Sequence, residues 1–337
     1  MELARINITI FINESKSESE SRSDDEFDKV VNTARYAINF VVTPILCIFG
    51  VVGNILNVVV LRRCGYKDTN VLLLESLSVA DLILSVVHSI VHVHFIIECF
   101  DFVAASVFGT FSFVYLFGAY QTSLCVVELH LVGIAFERVI AVYFPFHVSR
   151  IFLRSRVLMY IIAMYLFAIV YNAPQFFVFE PGWMNVSSLN RTIAVIVPTH
   201  FYLSNLEVML NYLILGISAL NTGIFPITTI FACFIVGVKL LWRKKQNLIS
   251  TKRKDKNDLK GMKLLIAVCI ISVLFCVSGL TLNYYFYTVS IFVGSFHELL
   301  IDVTNLISQL FSSSNFFIYV TMSRKFYRTY RKLICRF

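Results

Sequence analysis

Polar and ionisable side chains stand inside long apolar runs of this chain, and each needs a physical reason. Asp81 lies midway along "LSVADLIL", Asn54 in "FGVVGNILN", and Asn315 with Tyr319 in "SSSNFFIY". A charge at the centre of a membrane helix costs about 2.5–3.5 kcal/mol on insertion scales. Two kinds of chemistry fit. The groups can hydrogen-bond across helices as glue, each contact being worth roughly 0.6 kcal/mol on average. Alternatively they form one polar cluster whose protonation or ion occupancy differs between two packings of a bundle. A further site is the adjacent acid and base of "AFERVIAVYFPF", Glu137 and Arg138, followed by six apolar residues and Pro145. That arginine either snorkels toward water from a helix end or is held by the neighbouring carboxylate and released in another state.

Other candidates lie outward of these. His88 and His92 are four apart on one helix face, with His94 beside them. Such a pair could bind zinc, but two pocket-lining histidines are the commoner case, and no metal site is expected. Glu128 and His130 lie deeper, and Glu128 either pairs within a bundle or meets a ligand. Tyr115, Tyr120, Gln121, Asn283, Tyr284, Tyr287, Asp302, Asn305 and Gln309 fall toward one end of their runs. Aromatic residues there form either an interfacial belt or the wall of a ligand pocket. The expected pocket residues are His92, Tyr120, Gln121, Glu128, Tyr284 and Gln309. No cofactor is implied.

The elements that must hold these groups are apolar helices. Of 337 residues 58% are hydrophobic and 15% charged, against about 25% charged in soluble domains, so lipid must solvate much of the chain. Seven segments of membrane-spanning length are expected near 36–61, 70–97, 103–136, 156–179, 208–242, 262–290 and 299–321. The fifth has the softest start, since 193–215 fits loop or helix. The fold class expected is an all-α membrane protein, a seven-helix bundle over 36–322. Residues 1–35, rich in Glu and Asp, read as a disordered acidic tail without a cleaved signal peptide. Residues 323–337, "RKFYRTYRKLIC" and its flanks, read as a short amphipathic helix and tail.

Orientation follows from charge. Arg62, Arg63 and Lys67, then Arg150, Arg154 and Arg156, then the run from Arg243 to Lys263 and the C-terminal basic residues all fall on one side. That side is cytoplasmic and the N-terminus extracellular. The Asn-x-Ser/Thr sequons begin at Asn7, Asn13, Asn185 and Asn190, all on the outer side. The basic run is a positive-inside signal that meets anionic membrane lipids, not nucleic acid. Of eight cysteines only Cys99 faces outside, so no intramolecular exterior disulfide is expected.

In order, these motifs resemble the rhodopsin-like (class A) G-protein-coupled receptors, over about 36–337. The matching pieces are Gly53-Asn54, Leu77 to Asp81, Glu137-Arg138 with Ala141, Val142 and Pro145, Pro174, Pro226, and Asn315 with Tyr319. Phe326 follows Tyr319 by seven residues, as in the family's eighth helix, and Cys335 stands where many members are palmitoylated. The style of the sequence is similar to invertebrate chemosensory or peptide-type orphan receptors. The resemblance implies a plasma-membrane receptor, not an enzyme. An extracellular ligand would shift the bundle so that Arg138, freed from Glu137, meets a heterotrimeric G protein. The rival class is a membrane transporter or channel, against which no internal repeat is seen.

Departures from the family pattern narrow this. The family's span-three cysteine is Phe113 here, its span-four Trp is Met164, the span-six Cys-Trp-x-Pro element reads "CVSG", and the span-seven Pro is Phe316. The span-five tyrosine is Phe234. Tyr120 replaces the aspartate of amine receptors, Gln309 the retinal-binding lysine of opsins, and Val127 the serine of the family's sodium site.

Overall fold

The computed structural model describes residues 26–64, 69–186, 191–246, 295–322 and 324–334, with isolated positions between 273 and 281. Apart from those positions, the sixth apolar segment, 262–290, lies outside the described residues. Helix α1 runs from 26 to 64, with a π turn over Ile38–Val42 and regular helix over Thr43–Cys64. Helix α2 spans Thr69–Glu98, α3 Phe102–Tyr143 and α4 Arg154–Asn172. A π segment, Tyr212–Ile224, leads into α5, Phe225–Gln246. Helix α6 is Ser295–Met322 and α7 Arg324–Ile334. Among the described residues five helices are long and apolar enough to cross a membrane.

Two expectations need correction. Residues 26–35, assigned above to the disordered tail, are helical and continue into the first span. Glu26 and Asp28 are exposed on this helical stretch. Val31 is buried, and the Phe27 ring lies 6.0 Å from that of Phe296 on α6. The fold is also not purely helical. Strands β1 (Phe179–Val186) and β2 (Arg191–Pro198) pair antiparallel after α4. The run "TIAVIV" in β2 is rich in β-branched residues, which favour a pleated strand over a helix.

Local chemistry explains the other boundaries. Asp101 caps α3, its carboxylate accepting from the amides of Val103 at 2.8 Å and Ala104 at 3.2 Å. Pro226 lacks an N–H and its ring crowds the preceding turn, and the turns before it are π rather than α. The wider turns give the ring room.

The core joins four helices. Leu77, Ala80 and Leu84 of α2 pack with Leu124, Val127 and Leu131 of α3, Ala168 of α4 and Phe311 of α6. On α7, Phe326, Tyr330 and Leu333 recur at helical spacing and pack against Val60, Leu61 and Val71. Outward-facing apolar side chains such as Ile48, Val170 and Phe231 are exposed on the bundle exterior, as lipid contact requires. Phe234, which stands where the resemblance places a span-five tyrosine, is exposed on that exterior too.

Close approach between helices depends on Gly50. A Cβ there would lie 2.6 Å from both Ser85 Oγ and Gln309 Nε2, which are buried and have nowhere to retreat. Gly237 has nothing within 4 Å of the same construction. Gly50→Val is therefore expected to lose roughly 1–3 kcal/mol by overpacking. Gly237→Ala should lose nothing, and by helix propensity gain up to about 1 kcal/mol. Thermal unfolding of the two variants in detergent checks the contrast.

Candidate functional site

Three arrangements carry the polar residues, stacked along the bundle. The innermost is a hydrogen-bonded cluster shared by α1, α2 and α6. Asp81 is fully buried, and Asn315 Nδ2 donates to its Oδ2 at 2.5 Å. Ser312 Oγ donates to the Asp81 carbonyl at 3.0 Å and lies 3.1 Å from Ser85 Oγ. Gln309 Nε2 donates to Ser85 Oγ at 3.2 Å and reaches the Leu46 carbonyl at 3.4 Å. Asn54 Nδ2 donates to the Ser312 carbonyl at 3.1 Å and Asn57 Nδ2 to Asn54 Oδ1 at 3.2 Å.

Why Ser312 and not its neighbours reaches across is a matter of register. Ser308, Ser313 and Ser314 return their hydroxyls to carbonyls three or four residues back on α6, the usual local alternative. Ser312 faces α2 and bonds there instead. Three acceptors of the cluster, Asn57 Oδ1, Asp81 Oδ1 and Gln309 Oε1, are buried with no hydrogen-bond partner among the described residues. A proton, a water or a small cation is what such orphaned acceptors take up.

The second arrangement lies at the far end of α3. Arg138 Nε is 3.3 Å from Glu137 Oε2; the acid is buried, while 39% of the arginine side chain is exposed. Pro145 follows in the exposed turn after α3. Nearby, Tyr143 Oη donates to the Ile235 carbonyl at 3.3 Å, and Lys239 Nζ stands 4.5 Å over Trp242 and 5.4 Å over Tyr143. These contacts tie the ends of α3 and α5 together.

The third arrangement is a vestibule at the opposite end. Arg35 of α1 pairs with Glu298 of α6 and, at 2.9 Å, with Asp302 of α6. Asn39 Nδ2 donates to the same Asp302 carboxylate at 3.0 Å. Two cavities of about 590 and 460 Å³ flank this group, both lined by Arg35, Glu98 and Glu298. Deeper, the His88 and His92 rings lie 4.1 Å apart, tilted by 33°, and His88 lies 5.7 Å from Tyr120, whose hydroxyl donates to Asn305 at 3.1 Å. Among the described residues no group of three His, Cys, Asp or Glu is placed to hold a metal.

The structure thus brings Asn54, Asp81 and Asn315 into one cluster. Gln309, expected in the ligand pocket, belongs to that cluster instead, at 1% exposure. Glu128 is buried on α3, while Gln121 and His92 are half-buried. Asn185 is exposed on β1. Asn7, Asn13, Asn190, Tyr284, Cys335 and the side chain of Tyr319 lie outside what is described. Phe113, where the family's disulfide would begin, packs against Phe117 at 5.1 Å and Phe179 of β1 at 5.6 Å. Arg35, Asn39, Glu98 and Glu298 were missed by sequence reasoning. Their signal was spacing: Arg35 with Asn39 and Glu298 with Asp302 are two pairs four residues apart, so each pair shares one helix face.

Removing Asn315 by Asn315→Leu should strand the Asp81 carboxyl and cost roughly 1–3 kcal/mol. Asp81→Asn keeps a hydrogen-bonding partner of the same shape and should cost less. Thermal unfolding of the two variants in one detergent orders them.

No family model matches the chain. It is similar to an FMRFamide receptor of Drosophila melanogaster, 24% identical over 323 residues that cover 89% of this chain. The alignment takes in 54% of that protein, so the chain spans about half the length of the relative it matches.

Proposed function

We propose that this chain is a rhodopsin-like G-protein-coupled receptor whose extracellular ligand is a peptide of the FMRFamide kind. The observation that carries this reading is the polar cluster that binds α1, α2 and α6 through Asn54, Asp81 and Asn315, on the same bundle as the Glu137–Arg138 pair. Those five residues occupy the family's motif positions, and the similarity to a peptide receptor points the same way. In this reading the seven-span topology holds, with the sixth span at 262–290. The vestibule and the exposed Asn185 face outside, and Asn7, Asn13 and Asn190 are further glycan acceptors. The basic segments, with Cys335 as a lipid anchor, face the cytoplasm.

The mechanism is a population shift. At rest the buried Glu137 carboxylate holds Arg138. A ligand in the vestibule acts only through its differential affinity for the two packings. The favoured packing separates the inner ends of α3 and α5, which Tyr143 and Ile235 now join, and Arg138 turns to the C-terminus of a heterotrimeric G protein. The partially exposed guanidinium is already accessible for that exchange.

Cells expressing the chain and challenged with FMRFamide and pooled peptides should show G-protein dissociation. Arg138→Ala at matched surface level should abolish it. Ion or solute flux that survives this change, with no G-protein signal under any pool, would replace the reading with a transporter or channel.

A further inference from the structure

We propose that Glu298 and Asp302 form a cation-binding subsite of the outer vestibule, and that Arg35 fills it from within the chain until a ligand's own basic group displaces it. This rests on the receptor reading for its purpose, but not for its chemistry.

Three carboxylates, Glu98, Glu298 and Asp302, line the two outer cavities, and Arg35 is the basic side chain set among them. The Arg35 guanidinium stands between the cavities: both are lined by it, with Asn39 and Tyr36 in one and Asp302 in the other. Its Nε is given to Asp302 and one terminal nitrogen to Glu298. The site is therefore already shaped for a planar, forked cation.

A further feature lies in its wall. Asn39 is 2% exposed and lines the larger cavity, and its Oδ1 is a buried acceptor with no hydrogen-bond partner among the described residues. An incoming N–H donor would satisfy it. Exchange is also feasible on energetic grounds. The Arg35–Glu298 pair is partly exposed, its side chains 22% and 55% exposed, so its net worth is small, whereas the Asp302 side chain, 11% exposed, can release Arg35 only to another cation. Swapping one guanidinium for another leaves no carboxylate buried without a partner. Tyr36, Phe40 and Phe95 flank the larger cavity and Phe102 and Phe113 the smaller. The ligand class is thus a basic side chain, arginine-like, with an apolar or aromatic neighbour.

The consequence reaches inward. Asp302 lies on the same helix as Gln309, Ser312 and Asn315, so loosening the Arg35 contact frees the outer end of the helix that carries the Asp81 donors.

The test uses the full chain in lipid nanodiscs, with N-acetyl-argininamide as probe and its neutral isostere N-acetyl-citrullinamide as control. Arg35→Gln should bind the arginine probe about tenfold more tightly than the parent, because the internal competitor is gone. Asp302→Asn and Glu298→Gln should each weaken binding by about tenfold or more, and the citrulline analogue should bind none of them. Arg35→Lys keeps the charge but loses the fork. It should also bind the probe more tightly than the parent, which decides the matter if Arg35→Gln does not fold. Equal binding of both analogues, or no gain in either Arg35 variant, overturns the proposal. Binding needs no G protein, so a chain that binds as expected but never signals would fail the receptor reading and leave this subsite standing.

Discussion

The arrangement of α1, α2 and α6 follows from one constraint: a carboxyl group buried at 0% exposure in the middle of an apolar helix must find donors without water. Asp81 finds them on α6. Asn315 serves its side chain and Ser312 its carbonyl, so α6 is fixed in rotation and in height against α2. A slip of one residue would present Phe316 or Ser314 instead. Helix α1 is then locked to the pair, because Asn54 donates to the backbone of Ser312. Gly50 permits the closeness that this requires.

The end of the bundle that carries Arg35 and the hairpin is held by other means. Where the resemblance implies a disulfide from the third span to the following loop, Phe113 and Phe117 pack against Phe179 of the hairpin. On the other flank Arg35, Asn39, Glu298 and Asp302 join α1 to α6. A disulfide typically contributes about 2–4 kcal/mol, whereas the partly exposed Arg35–Glu298 pair contributes about 0–1 kcal/mol; the buried Asp302, with Arg35 and Asn39 on its carboxylate, is the firmer part of this group.

The parts legible in the sequence were those with a strong local signature. Apolar runs announced the long helices, and a lone Asp or Asn inside such a run had to face the interior. The geometry that joins Asn54, Asp81 and Asn315 is tertiary and appears only once α6 is set against α1 and α2. The extension of α1 was hidden because Glu26 and Asp28 read like the polar tail before them, while Val31 and Asn39 are the only buried residues over 26–39. Gln309 was misread because a glutamine at that height suits a pocket as well as a cluster. The choice was made by Ser85 and the carbonyl of Leu46, two partners far away in sequence. The hairpin was legible in principle, since "TIAVIV" is β-branched, but an apolar run of that length also fits the start of a span.

Phe316 shows that a departure from a family motif can be a different solution instead of a defect. A proline there would break the hydrogen-bond ladder of α6. With phenylalanine the helix continues unbroken from Ser295 to Met322. The ring instead meets Tyr330 at 5.4 Å and Phe326 at 6.5 Å, both on α7. The Gly53 position leaves it room, since a Cβ there would come within 3.1 Å of Phe316 Cβ. Helix α7 is thereby packed to α1 and α6 by aromatic contact, next to the residues that hold Asp81. The α-helical ladder is instead interrupted by the π turns at Ile38–Val42 and Tyr212–Ile224, where the bonds run from i to i+5. One contains Asn39 of the Arg35 group, and the other precedes the helix that meets Tyr143. Among the described spans, regular α-helix is therefore given up not in α6 but in the two segments that lead to these contacts.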